Sequence, residues 1–251
     1  MTALLQDKTR LLPPPSQAAF LLDFDGTLVD IASTPESVVV PQNLPDILLA
    51  LRRRCNDALA VVTGRPIEQI DFFLKDIPYA VAGEHGLALR HRPHDPIEWI
   101  PMAPMPSDWI RGAKQIKEKY PAIRIEKKHN GLVIHFRAAP ELGEMLREEM
   151  QSWVDQQKDN FDLYPSKMAW EIRPSGINKG EALGMILKKP PFLGRRPIFI
   201  GDDVTDEDGV IIANEMKGVG FRIPRDFPNP KTLRLWLASL AEGQEDKWQV
   251  E

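Results

Sequence analysis

The sequence predicts an α/β fold: a parallel sheet flanked by helices, interrupted midway by a smaller α+β module. Three observations predict it. Apolar runs too short for helices alternate with segments of helical periodicity. Most of these runs stop abruptly at glycine next to charged or hydroxyl residues. In the middle of the chain the alternation gives way to helix, two strands, helix, two strands.

Ala18 to Phe24 is apolar almost throughout, as a strand buried on both faces should be. Pro13-Pro14-Pro15 reads as a stiff lead-in to it. Asp23, Asp25 and Gly26 interrupt the run. Leu44 to Arg54 is a helix with Leu44, Ile47, Leu48 and Leu51 on one stripe. Arg52-Arg53-Arg54 closes it, where cations complement the helix dipole. Ala58 to Val62 is a second buried strand, ended by Thr63-Gly64-Arg65-Pro66, and Ile67 to Leu74 is a helix. Tyr79 to Ala82 is a third strand, ended by Gly83-Glu84-His85-Gly86.

The module follows. Ser107 to Tyr120 is helical, and Ile123–Lys127 with Leu132–Arg137 forms a hairpin about Asn130-Gly131. Glu141 to Gln157 is a helix; Phe161–Tyr164 and Met168–Ile172 form a second hairpin. The parallel pattern then resumes with a helix at Lys179–Lys188, a strand at Pro197–Ile200, a helix at Glu207–Met216, a strand at Gly218–Phe221 and a helix at Pro230–Ala241. The expected organisation is a Rossmann-like core from residues 1–102 and 174–251, with an inserted domain at 103–173 in which helix-strand-strand occurs twice.

Composition narrows the function. The 251 residues are 43% hydrophobic and 27% charged, with net charge −4 and no basic stripe, which argues against a nucleic-acid partner. The single cysteine, Cys55, makes no intramolecular disulfide and suits a reducing compartment. The N-terminus has no leader pattern, and no apolar run approaches the roughly 18 residues of a membrane span. A soluble, cytoplasmic protein without a membrane partner is expected. His91, His94 and His129 sit in polar loops and read as surface residues.

Strand ends of an open parallel sheet share the edge where ligands bind. Four strings there carry unusual chemistry. In Asp23-Phe24-Asp25-Gly26-Thr27-Leu28 two carboxylates repel unless a hard cation joins them. Val62-Thr63-Gly64-Arg65 offers a hydroxyl and backbone N–H groups to a phosphate, or Thr63 as a helix N-cap. Asn178-Lys179-Gly180 opens a helix with a cation that could hold a phosphoryl group, or lie on the surface. In Gly201-Asp202-Asp203-Val204-Thr205-Asp206-Glu207-Asp208 five acids crowd seven positions. The helix dipole accounts for Asp206 to Asp208 better than for Asp202 and Asp203.

In this order the four strings resemble the motifs of haloacid dehalogenase-type phosphatases: Asp23-x-Asp25-Gly-Thr, Thr63-Gly-Arg, Lys179 and Gly-Asp202-Asp203. The resemblance implies that Asp23 is the nucleophile, and that Asp25 protonates the leaving oxygen and then activates water. It implies Mg²⁺ held by the Asp23 carboxylate, the Asp25 carbonyl and Asp202, with Asp203 and Asp206 in support. Thr63 and Lys179 would hold the phosphoryl oxygens, and Gly64 and Arg65 would contact substrate. The family places a cap domain between its second and third motifs, where the inserted module lies.

Three further strings are similar to trehalose-6-phosphate phosphatases: Gly83-Glu84-His85-Gly86, Lys128 ahead of Val133-Ile134-His135-Phe136-Arg137, and Glu171-Ile172-Arg173-Pro174 before Lys179. Phe136 stands where that family has tyrosine. The resemblance implies hydrolysis of trehalose 6-phosphate, with Glu84, His85, Lys128, His135, Glu171 and Asn178 around the sugar phosphate. A monomer served by a separate trehalose-phosphate synthase is expected. A phosphatase for sucrose phosphate or mannosyl-phosphoglycerate, a phosphomannomutase, or an inactive sugar-phosphate sensor remain the alternatives. On the bare residues, His135 and Arg137 could be one solvated strand face, and Glu171 a structural ion pair with Arg173 or Lys128.

Overall fold

The computed structural model describes residues 12–32 and 34–244. The N-terminal stretch expected to carry no leader pattern, residues 1–11, lies outside the described residues. The chain divides into two compact units. One is built from the segment ending at Ile100 and the segment starting at Asn178; the other is Pro101–Ile177.

In the first unit, seven strands form one sheet among the described residues. They are β1 (Ala18–Leu22), β2 (Leu59–Val62), β3 (Ala80–Gly83), β4 (Ala88–Arg90), β5 (Glu98–Trp99), β10 (Arg196–Gly201) and β11 (Val219–Arg222). Their order is β11-β10-β1-β2-β3-β4-β5, parallel from β11 to β3 and antiparallel beyond. β1 is buried at every residue, as its unbroken apolar run requires. The helices are α1 (Leu44–Arg54), α2 (Ile67–Leu74), α5 (Lys179–Ile186), α6 (Glu207–Glu215) and α7 (Pro230–Ala241). α1 packs on α7 and α5 on α6. Leu44, Leu48 and Leu51 of the expected α1 stripe are buried.

The antiparallel extension β4-β5 was not visible in the sequence. Its strands have three and two residues, too few to show alternation. β4 exists because the chain reverses tightly through Glu84–Gly86 and pairs Ala88 with Gly83.

The second unit has its own core, centred on Trp109, Leu132, Ile134, Leu146, Met150 and Phe161. Its helices are α3 (Ser107–Lys119) and α4 (Gly143–Asp155), and its strands β6 (Arg124–Lys127), β7 (Leu132–His135), β8 (Phe161–Ser166) and β9 (Ala169–Pro174). The two predicted hairpins are one antiparallel sheet, β6-β7-β9-β8, because β7 pairs with β9 across the intervening helix. Ile134 and Ile172 face the apolar core, so Val133 and Glu171, paired directly opposite, share the other face. Register extends that row to Glu126 on β6 and Tyr164 on β8. A short 3₁₀ turn, Pro140–Leu142, precedes α4 where the sequence suggested helix from Glu141.

Candidate active site

The strand order places a reversal at β1. The chain runs β1 to β2 to β3 on one side, then returns to lay β10 on the other. Ligands of open α/β sheets bind beyond the strand ends at such a switch point. Leu22 pairs with Ile200, and the Asp23 N–H donates to the Ile200 carbonyl at 2.9 Å. The carboxylates following β1 and β10 are thereby brought side by side.

Two glycines make room for them. Gly26 has φ +77°, and a Cβ there would lie 2.1 Å from an Asp202 carboxylate oxygen. A Cβ on Gly201 would lie 2.2 Å from the Asp206 carboxyl carbon. One carboxylate oxygen each from Asp23, Asp202 and Asp206 lie within 4.8 Å of one another. Lys179, buried at the start of α5, donates to Asp23 Oδ1 and to Asp206 Oδ1, both at 2.6 Å. Three carboxyl groups, those of Asp23 and Asp206 buried, face one ammonium, an excess of acid that a divalent cation would offset.

Burial pushes the Asp23 carboxyl well above the ordinary range; Lys179 opposes this, and Asp206 and Asp202 add to it. Burial would lower the Lys179 ammonium, but Asp206 and Asp23 outweigh it and hold the group above its usual value. Asp206, fully buried, accepts at Oδ2 from the N–H groups of Asp202 (2.9 Å) and Asp203 (2.8 Å). It therefore shapes the loop and holds Lys179. Asp203 accepts from the Val204 N–H at 2.6 Å, in a reciprocal cap with Asp206 around Val204–Asp206. Within this acidic run Asp202 and Asp206 belong to the carboxylate cluster, and Asp203 and Asp206 to the cap, Asp206 serving both.

Thr63 is buried and does not cap α2; its Oγ1 accepts from the Arg65 N–H at 3.2 Å, leaving its own proton to donate. The loop after β2 is joined to the loop after β3. His85 N–H donates to the Thr63 carbonyl at 2.9 Å and Glu84 N–H to the Arg65 carbonyl at 3.0 Å. Glu84 and His85 are both left-handed, at φ 47° and 60°, a strained pair of the kind found at functional sites. The His85 ring lies so close to Gly64 that a Cβ there would be 2.6 Å from Nε2. Arg65, expected to contact substrate, has its guanidinium on Asp25 in a bidentate pair, Nε–Oδ2 2.6 Å and Nη2–Oδ1 2.7 Å. Asn178 caps α5, its Oδ1 accepting from the Glu181 N–H at 2.8 Å.

In the second unit, Lys128 Nζ lies 2.5 Å from Glu126 Oε1, and His135 Nε2 lies 3.0 Å from Glu126 Oε2. Sequence reasoning missed Glu126, which joins the two candidates. Its place two residues before Lys128, on the polar face of an alternating strand, was the available signal. Glu171 lies on the same sheet face, 8% exposed. The structure thus groups Lys128 and His135 with Glu126. Glu84, His85 and Asn178 belong to the first unit.

Burial would raise Glu126, but hydrogen bonding from His135 and the charge of Lys128 bring it down to about 2 from 4.5. A folded-state value below the unfolded one contributes stability above pH ~4.5 that is lost as pH falls toward 2. Glu126→Gln should therefore cost about 1–3 kcal/mol at neutral pH. Urea midpoints of the two proteins should converge on acidification; a gap unchanged by pH would refute the ion pair.

The description "Trehalose-phosphatase" belongs to the family model that matches residues 21–228, most of the chain. The chain belongs to the trehalose-phosphatase family. It is 35% identical over 218 residues to a probable trehalose-phosphate phosphatase of Sinorhizobium fredii, covering 86% of this chain and 81% of that protein. It is 33% identical over 208 residues to the trehalose-6-phosphate phosphatase of Escherichia coli, covering 82% and 77%. Among solved structures, a trehalose-6-phosphate phosphatase related protein superposes with TM-score 0.70 at 25% identity, over 91% of this chain and 99% of that one. A haloacid dehalogenase-like hydrolase from Bacteroides thetaiotaomicron superposes with TM-score 0.58 at 11% identity, over 88% and 98%, and shows the shared fold.

Proposed function

We propose that this member of the trehalose-phosphatase family hydrolyses trehalose 6-phosphate to trehalose and phosphate through an aspartyl-phosphate on Asp23. One observation carries the chemistry: Lys179 held between Asp23 and Asp206, with the Asp202 carboxylate alongside, at the switch point of the sheet. Family membership carries the substrate.

A carboxylate oxygen of Asp23 attacks phosphorus as the ester P–O bond breaks, and Asp25 gives its proton to the departing sugar oxygen. Asp25 then takes a proton from water, whose oxygen attacks phosphorus and releases phosphate with the Asp23 carboxylate restored. Lys179 and Thr63 hold the phosphoryl oxygens as charge spreads over them. Asp23, Asp202 and the Asp25 carbonyl would hold Mg²⁺, with Asp203 and Asp206 supporting the loop. The bound ion would neutralise the acidic cluster and draw charge from the transferring phosphoryl group.

We assign the inserted module the role of the cap domain, its candidate sugar-binding residues being Lys128, His135 and Glu171; Glu84, His85 and Asn178 are the candidates in the core unit. Gly64 leaves room for the His85 ring. Among the described residues no helix is long and apolar enough to cross a membrane. A cytoplasmic monomer, fed by a separate trehalose-phosphate synthase, is our reading. The names of some relatives, such as the Thermoproteus tenax "bifunctional trehalose-6-phosphate synthase/phosphatase", join the two activities in one protein.

Phosphate release from a sugar-phosphate panel tests this. We expect kcat/KM for trehalose 6-phosphate to exceed that for sucrose phosphate and mannosyl-phosphoglycerate by about 100-fold or more. EDTA should abolish the activity and Mg²⁺ restore it. Another preferred sugar would overturn the substrate and leave the chemistry standing. No release from any ester would overturn the enzyme.

A further inference from the structure

We propose that Arg65 is a positioning residue for Asp25, gripping its carboxylate so that the opposite edge faces the oxygen exchanging a proton. The inference rests on the reading of Asp25 as acid and base given above.

Several observations converge. The Arg65–Asp25 pair is a two-point fork, at 2.6 and 2.7 Å, which fixes the plane of the carboxylate as well as its distance. The two side chains differ in exposure, 9% for Arg65 and 37% for Asp25. The buried partner is thus the holder, and the half-exposed one has an edge toward solvent. Arg65 is itself held. Nη1 donates to Gln69 Oε1 at 2.8 Å on the first turn of α2. Its guanidinium carbon lies 5.6 Å from the Phe24 ring centre and 5.3 Å from that of Phe73, and those two rings stack at 5.5 Å. The Arg65 backbone belongs to the loop that carries Thr63.

The fork takes one lone-pair direction on each Asp25 oxygen. A carboxylate has about four such sites, so two remain for the proton. An aspartate in a strand-end loop, just before a left-handed glycine, would otherwise turn about its side-chain bonds. A surface ion pair would need no aromatic walls and no second acceptor behind the arginine. A substrate-gripping arginine would not spend both donors of its Nε–Nη2 edge on a neighbouring carboxylate and its Nη1 on a glutamine.

Two phosphate esters separate these roles: phenyl phosphate, whose leaving oxygen needs a proton, and 4-nitrophenyl phosphate, whose leaving oxygen needs it far less. Neither contains a sugar, so loss of sugar contacts cannot alter their ratio. The ratio is taken on one preparation with Mg²⁺ present, so the folded fraction cancels. In Asp25→Asn we expect kcat/KM for phenyl phosphate to fall at least about 10-fold more than for 4-nitrophenyl phosphate. Arg65→Met should show the same selective loss, Arg65→Lys a smaller one, and Arg65→Met on the Asp25→Asn background no further change in the ratio. If Asp25→Asn shifts the ratio and neither Arg65 variant does, the inference fails and the reading of Asp25 stands. Equal loss on both esters in the Arg65 variants means that Arg65 serves the phosphoryl group or the fold, and also overturns it. If Asp25→Asn leaves the ratio unchanged, the acid reading fails and the inference with it.

Discussion

Asp23→Asn should lower kcat by about 10⁴-fold or more, the size of effect seen when a covalent nucleophile is removed. The fold should survive. Asparagine has nearly the same shape, and burial already opposes the charge that the substitution removes. Lys179 keeps Asp206 as a partner at 2.6 Å. The thermal midpoint should therefore hold or rise, because a carboxylate poised for attack sits in an environment unfavourable to it. Phosphate release at saturating substrate, read beside a melting curve, checks both halves. A loss of less than about 10-fold would remove Asp23 from the covalent role.

The second large effect is expected at Lys179→Met. The substitution keeps the apolar length and deletes the cation placed between Asp23 and Asp206. Breaking a buried ion pair by removing one member costs about 3–5 kcal/mol, because the remaining charges are stranded. Urea unfolding in EDTA should show this loss at neutral pH. The sign with pH follows from burial. Without the ammonium nothing opposes the burial that raises the Asp23 carboxyl, so the penalty grows as pH rises past the unfolded value of about 3.9 and shrinks below it. Activity should fall about 10³-fold, the scale of removing one charge-stabilising donor from a transition state. A variant as stable as the parent at pH 7 would mean that the three side chains do not share their charges.

Asp23 and Lys179 are 156 positions apart, and a hydrogen bond of 2.6 Å joins them. Their residue types were legible in the sequence because each ends a strand or opens a helix at a string of unusual chemistry. Asp202 was legible for the same reason. Glu126 was not, since a glutamate on an alternating strand looks like any solvated face until its partners are known. The Thr63-Gly64-Arg65 string by itself points to a substrate contact at Arg65; its attachment to Asp25 depends on two loops meeting. The division of labour in the acidic run was also hidden. Five carboxylates in seven positions look alike, and only the folded structure assigns Asp203 to a cap and Asp206 to Lys179.

The sequence by itself determined the element types, the α/β class, the interruption in the middle and the strings that end the strands. These follow from local periodicity and from residues that stop strands, and such signals need no partner. Tertiary structure alone decided the order β11-β10-β1-β2-β3, the antiparallel extension, the union of two hairpins into one sheet, and the partners of Asp25, Asp206 and Glu126. Strand pairing and buried ion pairs join residues far apart in the chain. Their energies depend on register and burial, which no local window of sequence contains.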